Sequence, residues 1–375
     1  MKTKSAVLYE MGKPRPYADS QPLVIEDLEL DKPGPGEVMV EVVGAGLCHS
    51  DLSTIDASRP RPMPMVLGHE ASGVVREVGV GVTSVKVDDH VVFSYVPMCG
   101  RCQCCGAGRP ALCEKGAAAN LAGTLLSGGV RFSKNGSRIL HHLGVAGFSQ
   151  LTVCAAESLV VIDRTFPLEK AALFGCAVLT GVGAVVNTAK VSPGESVVVF
   201  GLGGVGLSAV MGAKLAGASK IIAVDRLTSK FEVAKRLGAS DCIDAGNTDV
   251  VARVMELTGG GADYAFEAVG NANVLATAYN SVRRGGTCVS VGLPHPNQQV
   301  SIQAVSLAAQ EKTLRGSYMG SAVPARDVPR YMGLYQKGLL PVDELVSPSI
   351  ALEEINMGFD RLADGAAIRQ LIRFA

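Results

Sequence analysis

Along the first third of the chain, short apolar runs at 5–9, 37–43, 73–78, 90–93, 151–154 and 159–162 are separated by connections containing Gly and Pro. Short β-branched runs bounded in this way predict strands. The result is an all-β scaffold whose function sits on its loops. From Ser196 the pattern changes: apolar runs at 196–200, 220–224, 241–243, 262–268, 287–291 and 313–317 alternate with helix-periodic segments such as 231–237 and 250–257. Strands joined by crossover helices predict a doubly wound, six-stranded parallel sheet. After about Pro324, helical patterns at 328–336 and 352–362 lead to a last apolar strand at 368–374, and this stretch need not belong to the sheet.

The length, 375 residues, predicts about two domains. With 47% hydrophobic and 19% charged residues the chain can bury a large core, so disorder is excluded. Lys+Arg 35 against Asp+Glu 35 leaves no net charge and no footprint for a phosphate backbone. Partners are therefore expected among small molecules rather than nucleic acid. Two stretches, 171–189 and 196–213, lack charged residues at about membrane-spanning length. Both read as soluble core, the second because its five glycines and its change from β-branched to helical pattern suit strand, turn and helix. The opening stretch has no long apolar run or cleavage pattern, so no membrane association is expected and the cytoplasm is the expected compartment.

The run 197–200 leads into Gly201-Leu202-Gly203-Gly204-Val205-Gly206 and then a helix-like segment, and Asp225 ends the next strand. This order is that of a dinucleotide site. Gly201 permits the tight turn, Gly203 lets backbone approach a pyrophosphate, and Gly206 allows close packing of helix on strand. Asp225 would accept hydrogen bonds from the ribose hydroxyls and repel a 2′-phosphate, which favours NAD over NADP.

Ten cysteines are present, five of them between Cys99 and Cys113. Without an export signal such crowding points to metal rather than disulfides. Cys99, Cys102, Cys105 and Cys113 supply the four thiolates of a closed, structural tetrahedral zinc site. Cys104 falls outside the spacing as a free thiol, although a register using it in place of Cys105 stays open. A second set is dispersed: Cys48, His69 and Cys176. Their spacing alone does not demand a shared site, and singly each is as readily a buried thiol or a hydrogen-bonded histidine. Together, two Cys and one His would leave one zinc position open for water or an alcohol.

Taken together, Cys48-His49-Ser50-Asp51, Gly68-His69-Glu70, the cysteine lobe, Gly175-Cys176, the glycine turn and the ending Ile368-Arg369…Phe374 resemble the zinc-containing alcohol dehydrogenases of the medium-chain dehydrogenase/reductase family. The resemblance covers essentially the whole chain. It implies a GroES-like β catalytic domain, 1–177 with 319–375, and a Rossmann NAD-binding domain, 178–318. It further implies that Cys48, His69 and Cys176 bind catalytic zinc, making two zinc ions per chain with the lobe. Asp51 would orient His69, Glu70 would lie behind the metal, and Ser50 would take the alcohol proton as hydride passes to the nicotinamide.

Many family members end this proton relay with a histidine where this chain has Ser53, so a pH profile without a base near neutrality is expected. By the same resemblance His49 and Arg369 contact the pyrophosphate, Lys230 the adenosine ribose, and Thr180 and Val205 the nicotinamide, with Gly204 inside the turn. Tyr95, Leu293 and Tyr318 resemble pocket walls suited to primary or aryl alcohols, and Arg59 stands where an apolar residue is frequent. His90, His141, His142 and His295 match no ligand position. The length from Cys113 to Cys176 resembles dimeric members, so a homodimer is expected. The main reading is reversible oxidation of an alcohol to an aldehyde or ketone with NAD. The alternatives are an S-(hydroxymethyl)glutathione (formaldehyde) dehydrogenase and a dinucleotide-binding relative without dehydrogenase chemistry.

Overall fold

The computed structural model describes residues 1–374. The chain divides into two compact units, one of 1–176, 323–332 and 346–375, the other of 177–322 and 333–345.

The first unit is β-rich. Five strands, Lys2–Leu8, Leu23–Leu30, Phe132–Lys134, Ser137–His141 and Met65–Val66, close into a barrel in that order. The strand Leu23–Leu30 and the pair at 132–141 were not predicted. In Leu23–Leu30 the core-facing Leu28 and Leu30 are interleaved with Asp27 and Glu29, and the pair at 132–141 is short, so each carries a weak apolar signal. Their inward side chains nevertheless build one core, in which Val7, Leu28, Leu30, Val66, Phe132 and Ile139 are buried together. A second sheet orders Leu159–Val161, His90–Phe93, Glu70–Val78, Glu37–Gly46 and Leu371–Arg373, with Leu151–Ala155 also pairing to Glu37–Gly46. The last strand is shorter than the apolar run 368–374 predicts, because Arg369 forms only an isolated bridge with Val346.

The second unit carries six parallel strands in the order Asp241–Asp244, Lys220–Asp225, Ser196–Phe200, Ala262–Glu267, Val282–Ser290 and Thr313–Gly316. This is the doubly wound Rossmann sheet, with its order reversing beside Ser196–Phe200. Val282–Ser290 begins earlier than the apolar run 287–291: Val282 pairs with Ala262, and the register then shifts across the stretch holding Gly285 and Gly286 before pairing resumes at Thr287. Val198, Phe200, Ile222, Val254, Tyr279 and Cys288 share one buried core of this unit.

The charge-free stretch 171–189 is buried rather than membrane-like. Every residue of the helix Ala177–Gly183 is buried. A Cβ at Gly181 would lie 2.2 Å from Val205 O, and one at Gly212 would lie 3.1 Å from Val182 Cα. Small residues thus bring this helix against Gly204–Leu215, and a helix enclosed in this way is apolar all round. Among the described residues no single helix is long and apolar enough to cross a membrane.

Candidate functional site

Antiparallel pairing assembles the first site. Gly46 of Glu37–Gly46 lies opposite Glu70 of Glu70–Val78, so Cys48 and His69, just past the paired ends, are neighbours. A Cβ at Gly46 would stand 2.2 Å from Glu70 Oε1, and only glycine leaves room for that carboxylate. Glu70–Val78 pairs in turn with His90–Phe93. Gly175 fits closely over Phe93 O, where a Cβ would lie only 2.3 Å away, and this brings Cys176 alongside. Sγ of Cys48, a ring nitrogen of His69 and Sγ of Cys176 lie within 4.8 Å of one another, all buried.

The imidazole is fixed at both nitrogens. His69 Nδ1 is 3.1 Å from Asp51 Oδ1, and Nε2 is 3.5 Å from Cys176 Sγ. Asp51, on the helix His49–Ile55, is fully buried and also accepts the Gly68 N–H at 3.1 Å. Burial alone would raise its carboxyl, but His69 and His142 hold it below the ordinary value. Burial likewise opposes charge on His69, while Asp51 and Cys48 favour it and prevail. The two thiols share a proton: contact with the Cys176 side chain, helped by Arg369 and His69, brings Cys48 down, and Cys48 together with burial pushes Cys176 up. Two soft thiols and one imidazole whose other nitrogen is already committed to a carboxylate form a donor set that fits zinc.

Around this trio, Ser50 Oγ is 3.9 Å from Cys48 Sγ. Tyr95 is buried and meets the His69 ring edge to face at 5.4 Å. Arg369 is buried, donates from Nη1 to Leu47 O at 2.9 Å and has Nη2 3.9 Å from Glu70 Oε2. Burial opposes its charge, but Glu70 keeps it protonated. Ser53 donates to His49 O at 2.8 Å, and Arg59 N–H donates to Ser53 O at 2.7 Å.

The sulfurs of Cys99, Cys102, Cys105 and Cys113 also lie within 4.8 Å of one another. Cys113 caps the helix Glu114–Ala122, its sulfur accepting the N–H groups of Gly116 at 3.4 Å and Cys99 at 3.3 Å. Backbone N–H groups bring the Cys102 thiol down to about 6, whereas burial and the neighbouring thiols push Cys105 up to about 12. Cys104 turns away, with Sγ 4.0 Å from Glu114 Oε1. Four convergent sulfurs with no other donor fit a closed tetrahedral zinc. Cys154 and Cys288 lie elsewhere in buried surroundings, where burial pushes the Cys154 thiol up and that of Cys288 up to about 12.

In the second unit the glycine turn joins Ser196–Phe200 to Gly204–Leu215. Gly201 has φ +90, which favours glycine, and a Cβ at Gly206 would lie 1.7 Å from Gly201 O. Around the Cβ position of Gly203 there is open space, so another group can approach its backbone. Asp225 accepts the Leu202 N–H at 2.6 Å and the Leu227 N–H at 2.9 Å, and Lys230 Nζ stands 3.8 Å from it. Thr180 and Val205 come from the two packed helices, and the buried Thr180 Oγ1 has no hydrogen-bond partner. A hydroxyl left so is a place for a bound group to be recognised.

Residues 34–164 match the model of the alcohol dehydrogenase GroES-like domain, and 204–337 that of the zinc-binding dehydrogenase domain. An S-(hydroxymethyl)glutathione dehydrogenase of Synechocystis sp. is 39% identical over the full length of both chains. An NDMA-dependent alcohol dehydrogenase of Amycolatopsis methanolica is 42% identical over 99% of each. The chain belongs to the zinc-containing alcohol dehydrogenase family. The crystal structure of benzyl alcohol dehydrogenase from Acinetobacter calcoaceticus superposes on it with a TM-score of 0.93 at 34% identity over the full length of both.

Two of the pocket residues expected for a member of this family, Tyr95 and Arg59, lie in the first unit, and Leu293 and Tyr318 lie in the second. Leu293 is about half exposed. One residue had no role in the sequence reading: His142, whose Nδ1 is 3.0 Å from Asp51 Oδ1. The His141-His142 doublet was the only signal for it, and nothing local tells which of the two faces the site.

Proposed function

We propose that the protein is an NAD-dependent zinc alcohol dehydrogenase, transferring hydride reversibly between a primary, secondary or aryl alcohol and NAD to give an aldehyde or ketone. The observation that carries this reading is the buried convergence of Cys48, His69 and Cys176 within 4.8 Å, which fills three of the four positions of a tetrahedral zinc. Bound there, zinc supplies Lewis-acid polarisation of the substrate oxygen. Cys99, Cys102, Cys105 and Cys113 would hold a second, structural ion, for two zinc ions per chain.

Asp51 keeps the proton on His69 Nδ1, so that Nε2 would give its lone pair to a bound zinc in place of its own proton. Glu70 lies behind them and neutralises Arg369. Ser50 takes the alcohol proton at Oγ. Ser53 has no ionisable group, and its hydroxyl is already spent on His49 O. Water is then the last proton acceptor, and the pH profile of hydride transfer has no base near neutrality. Ser53→His is expected to introduce an inflection near the ordinary histidine pKa of about 6.5; an unchanged rate and pH dependence would count against this.

NAD, when bound, would supply the hydride acceptor. The Gly201–Gly206 turn with Gly204 at the helix N-terminus takes its pyrophosphate, joined by His49 and Arg369. Asp225 and Lys230 take the adenosine ribose, and Thr180 and Val205 adjoin the nicotinamide. The catalytic domain comprises 1–177 and 319–375, and the NAD-binding domain 178–318. Tyr95, Arg59, Leu293 and Tyr318 shape the pocket. The exposed edge strand Thr313–Gly316, with Val305 and Leu307 exposed before it, supports a homodimer formed by pairing of Rossmann sheets. The protein acts in the cytoplasm on small molecules.

The test is a panel of alcohols and aldehydes with NAD and NADP, on protein of measured zinc content. Turnover of benzyl or aliphatic alcohols with NAD is expected. The 39% identity to an S-(hydroxymethyl)glutathione dehydrogenase keeps a second reading in play. Activity with S-(hydroxymethyl)glutathione but with none of the simple alcohols would establish that reading instead.

A further inference from the structure

We propose that His142 is a positioning residue of the buried metal centre, holding the Asp51 carboxylate that in turn aligns His69. The inference rests on the reading of Cys48, His69 and Cys176 as a zinc site. Three nitrogens converge on one oxygen: Asp51 Oδ1 is 3.1 Å from Gly68 N, 3.1 Å from His69 Nδ1 and 3.0 Å from His142 Nδ1. All three side chains are buried, Asp51 at 0%, His69 at 1% and His142 at 2% exposure. The His142 ring also meets the His69 ring edge to face, 5.7 Å between centroids at 81°. His142 therefore touches both the carboxylate and the imidazole that the carboxylate steers.

A fully buried carboxylate is costly unless its oxygens are occupied. Here Oδ1 is met by Gly68 N–H and His69 Nδ1, while the equally buried Oδ2 has no hydrogen-bond partner. His142 Nδ1 is close to Oδ1 but not aligned for a full hydrogen bond. A small turn of the carboxylate would give each imidazole an oxygen of its own, and Asp51 would then be held against His69 from both sides. Outer partners of this kind set the orientation of a ligand and the affinity of its metal.

The backbone is arranged to present this ring. Leu143, next in the chain, has φ 51 and ψ 31, a left-handed conformation that a non-glycine residue adopts at a cost. The turn is tied by N–H groups of Val145 and Ala146 donating to His142 O at 3.0 and 3.2 Å. Its neighbour His141 faces the barrel instead: Nε2 accepts the Arg131 N–H at 3.0 Å, and the ring packs 4.8 Å from Phe132. The doublet is thus divided between a core histidine and one aimed at Asp51.

The experiment follows zinc transfer from the purified holoenzyme to a chromophoric chelator, in wild type, His142→Phe, His142→Asn and Cys176→Ala. The release phase missing from Cys176→Ala belongs to the buried site. His142→Phe, which keeps the ring and removes the donor, is expected to speed that phase by about 10- to 100-fold and leave the lobe's phase unchanged. His142→Asn, with an amide N–H near the place of Nδ1, is expected to restore most of the wild-type rate. No change with Phe, equal acceleration with Phe and Asn, or equal acceleration of both phases would overturn the role of His142. Should His142→Phe not yield folded protein, His142→Leu takes its place against Asn with the same outcomes. A wild type holding no more zinc than Cys176→Ala would instead overturn the zinc-site reading itself, whatever the His142 variants do.

Discussion

The cysteine lobe and the buried Cys48, His69 and Cys176 site belong to the same unit and draw on the same donor chemistry, but the chain assembles them in opposite ways. The lobe takes its four sulfurs from one loop, and three of its cysteines are only half-buried. Its local turns suffice, with Cys102 and Cys113 at the N-terminal ends of short helices and the Cys113 sulfur capping its own. The buried site takes three ligands from three places in the chain: Cys48 and His69 lie just past paired strand ends, and Cys176 sits at the junction of the turn Ala172–Gly175 and the helix Ala177–Gly183. Behind it stand Asp51, Glu70, Arg369 and His142, all buried. A complete local set closes around an ion and holds structure; an incomplete set, gathered by the whole sheet, leaves a position for chemistry.

Removing one ligand from each should separate these functions most strongly. Cys176→Ala is expected to lose one zinc and to lower kcat/KM by about 10³-fold or more, since several kcal/mol of Lewis-acid stabilisation go with it. Its thermal midpoint should change little. Cys113→Ala is expected to lose the other zinc and to lower the midpoint by about 3–6 °C, a few kcal/mol spread over this chain length. Metal analysis, steady-state kinetics and calorimetry on both variants decide the matter. Equal losses of activity, or a larger fall in midpoint for Cys176→Ala, would mean that the two sites do not divide the labour in this way.

Backbone dependence offers a second, smaller contrast. Gly68 has φ +91, and a Cβ there would lie 2.5 Å from Phe148 N. Gly68→Ala is therefore expected to destabilise by about 1–3 kcal/mol and to displace His69, with loss of the buried zinc. Gly106, inside the lobe, has open space around its Cβ position. Gly106→Ala should leave stability within about 0.5 kcal/mol and zinc content unchanged. Chemical denaturation with metal analysis measures both, and a tolerated Gly68→Ala would show that the sheet does not constrain the buried site.

The same contrast explains what could be read from the sequence. Four cysteines in one loop announce themselves by spacing, and the glycine turn does so by its place between strand and helix. The structure brings Cys105 rather than Cys104 to the cluster, a choice the spacing alone left open. Cys48, His69 and Cys176 were legible only through a family resemblance, because their meeting depends on the pairing of Gly46 with Glu70 and of Ser72 with Val92. No local pattern encodes that register. His142 escaped altogether for the same reason: its significance lies in Asp51, far away in the chain. The strands at 23–30 and 132–141 were missed because closure of the barrel, rather than a strong apolar pattern, holds them in place.

The smallest effect sharpens the lobe itself. Metal binding displaces thiol protons, so its pH dependence counts the thiols still protonated in the metal-free protein. Cys102 sits at about 6, brought down by backbone N–H groups, while burial places Cys105 at about 12. Above pH 6 Cys102 is already a thiolate and releases nothing when zinc binds; below it, Cys102 must give up a proton, and Cys105 must do so on both sides. The number of protons released per zinc at the lobe is therefore expected to fall by one as pH rises through about 6, with affinity weakening more steeply on the acid side. Zinc titration of metal-free Cys176→Ala, followed by calorimetry in buffers of different ionisation enthalpy, reads this number directly. A proton count that stays constant between pH 5 and 7 would mean that those backbone N–H groups do not hold a thiolate at Cys102, and that the lobe's order comes from the metal alone.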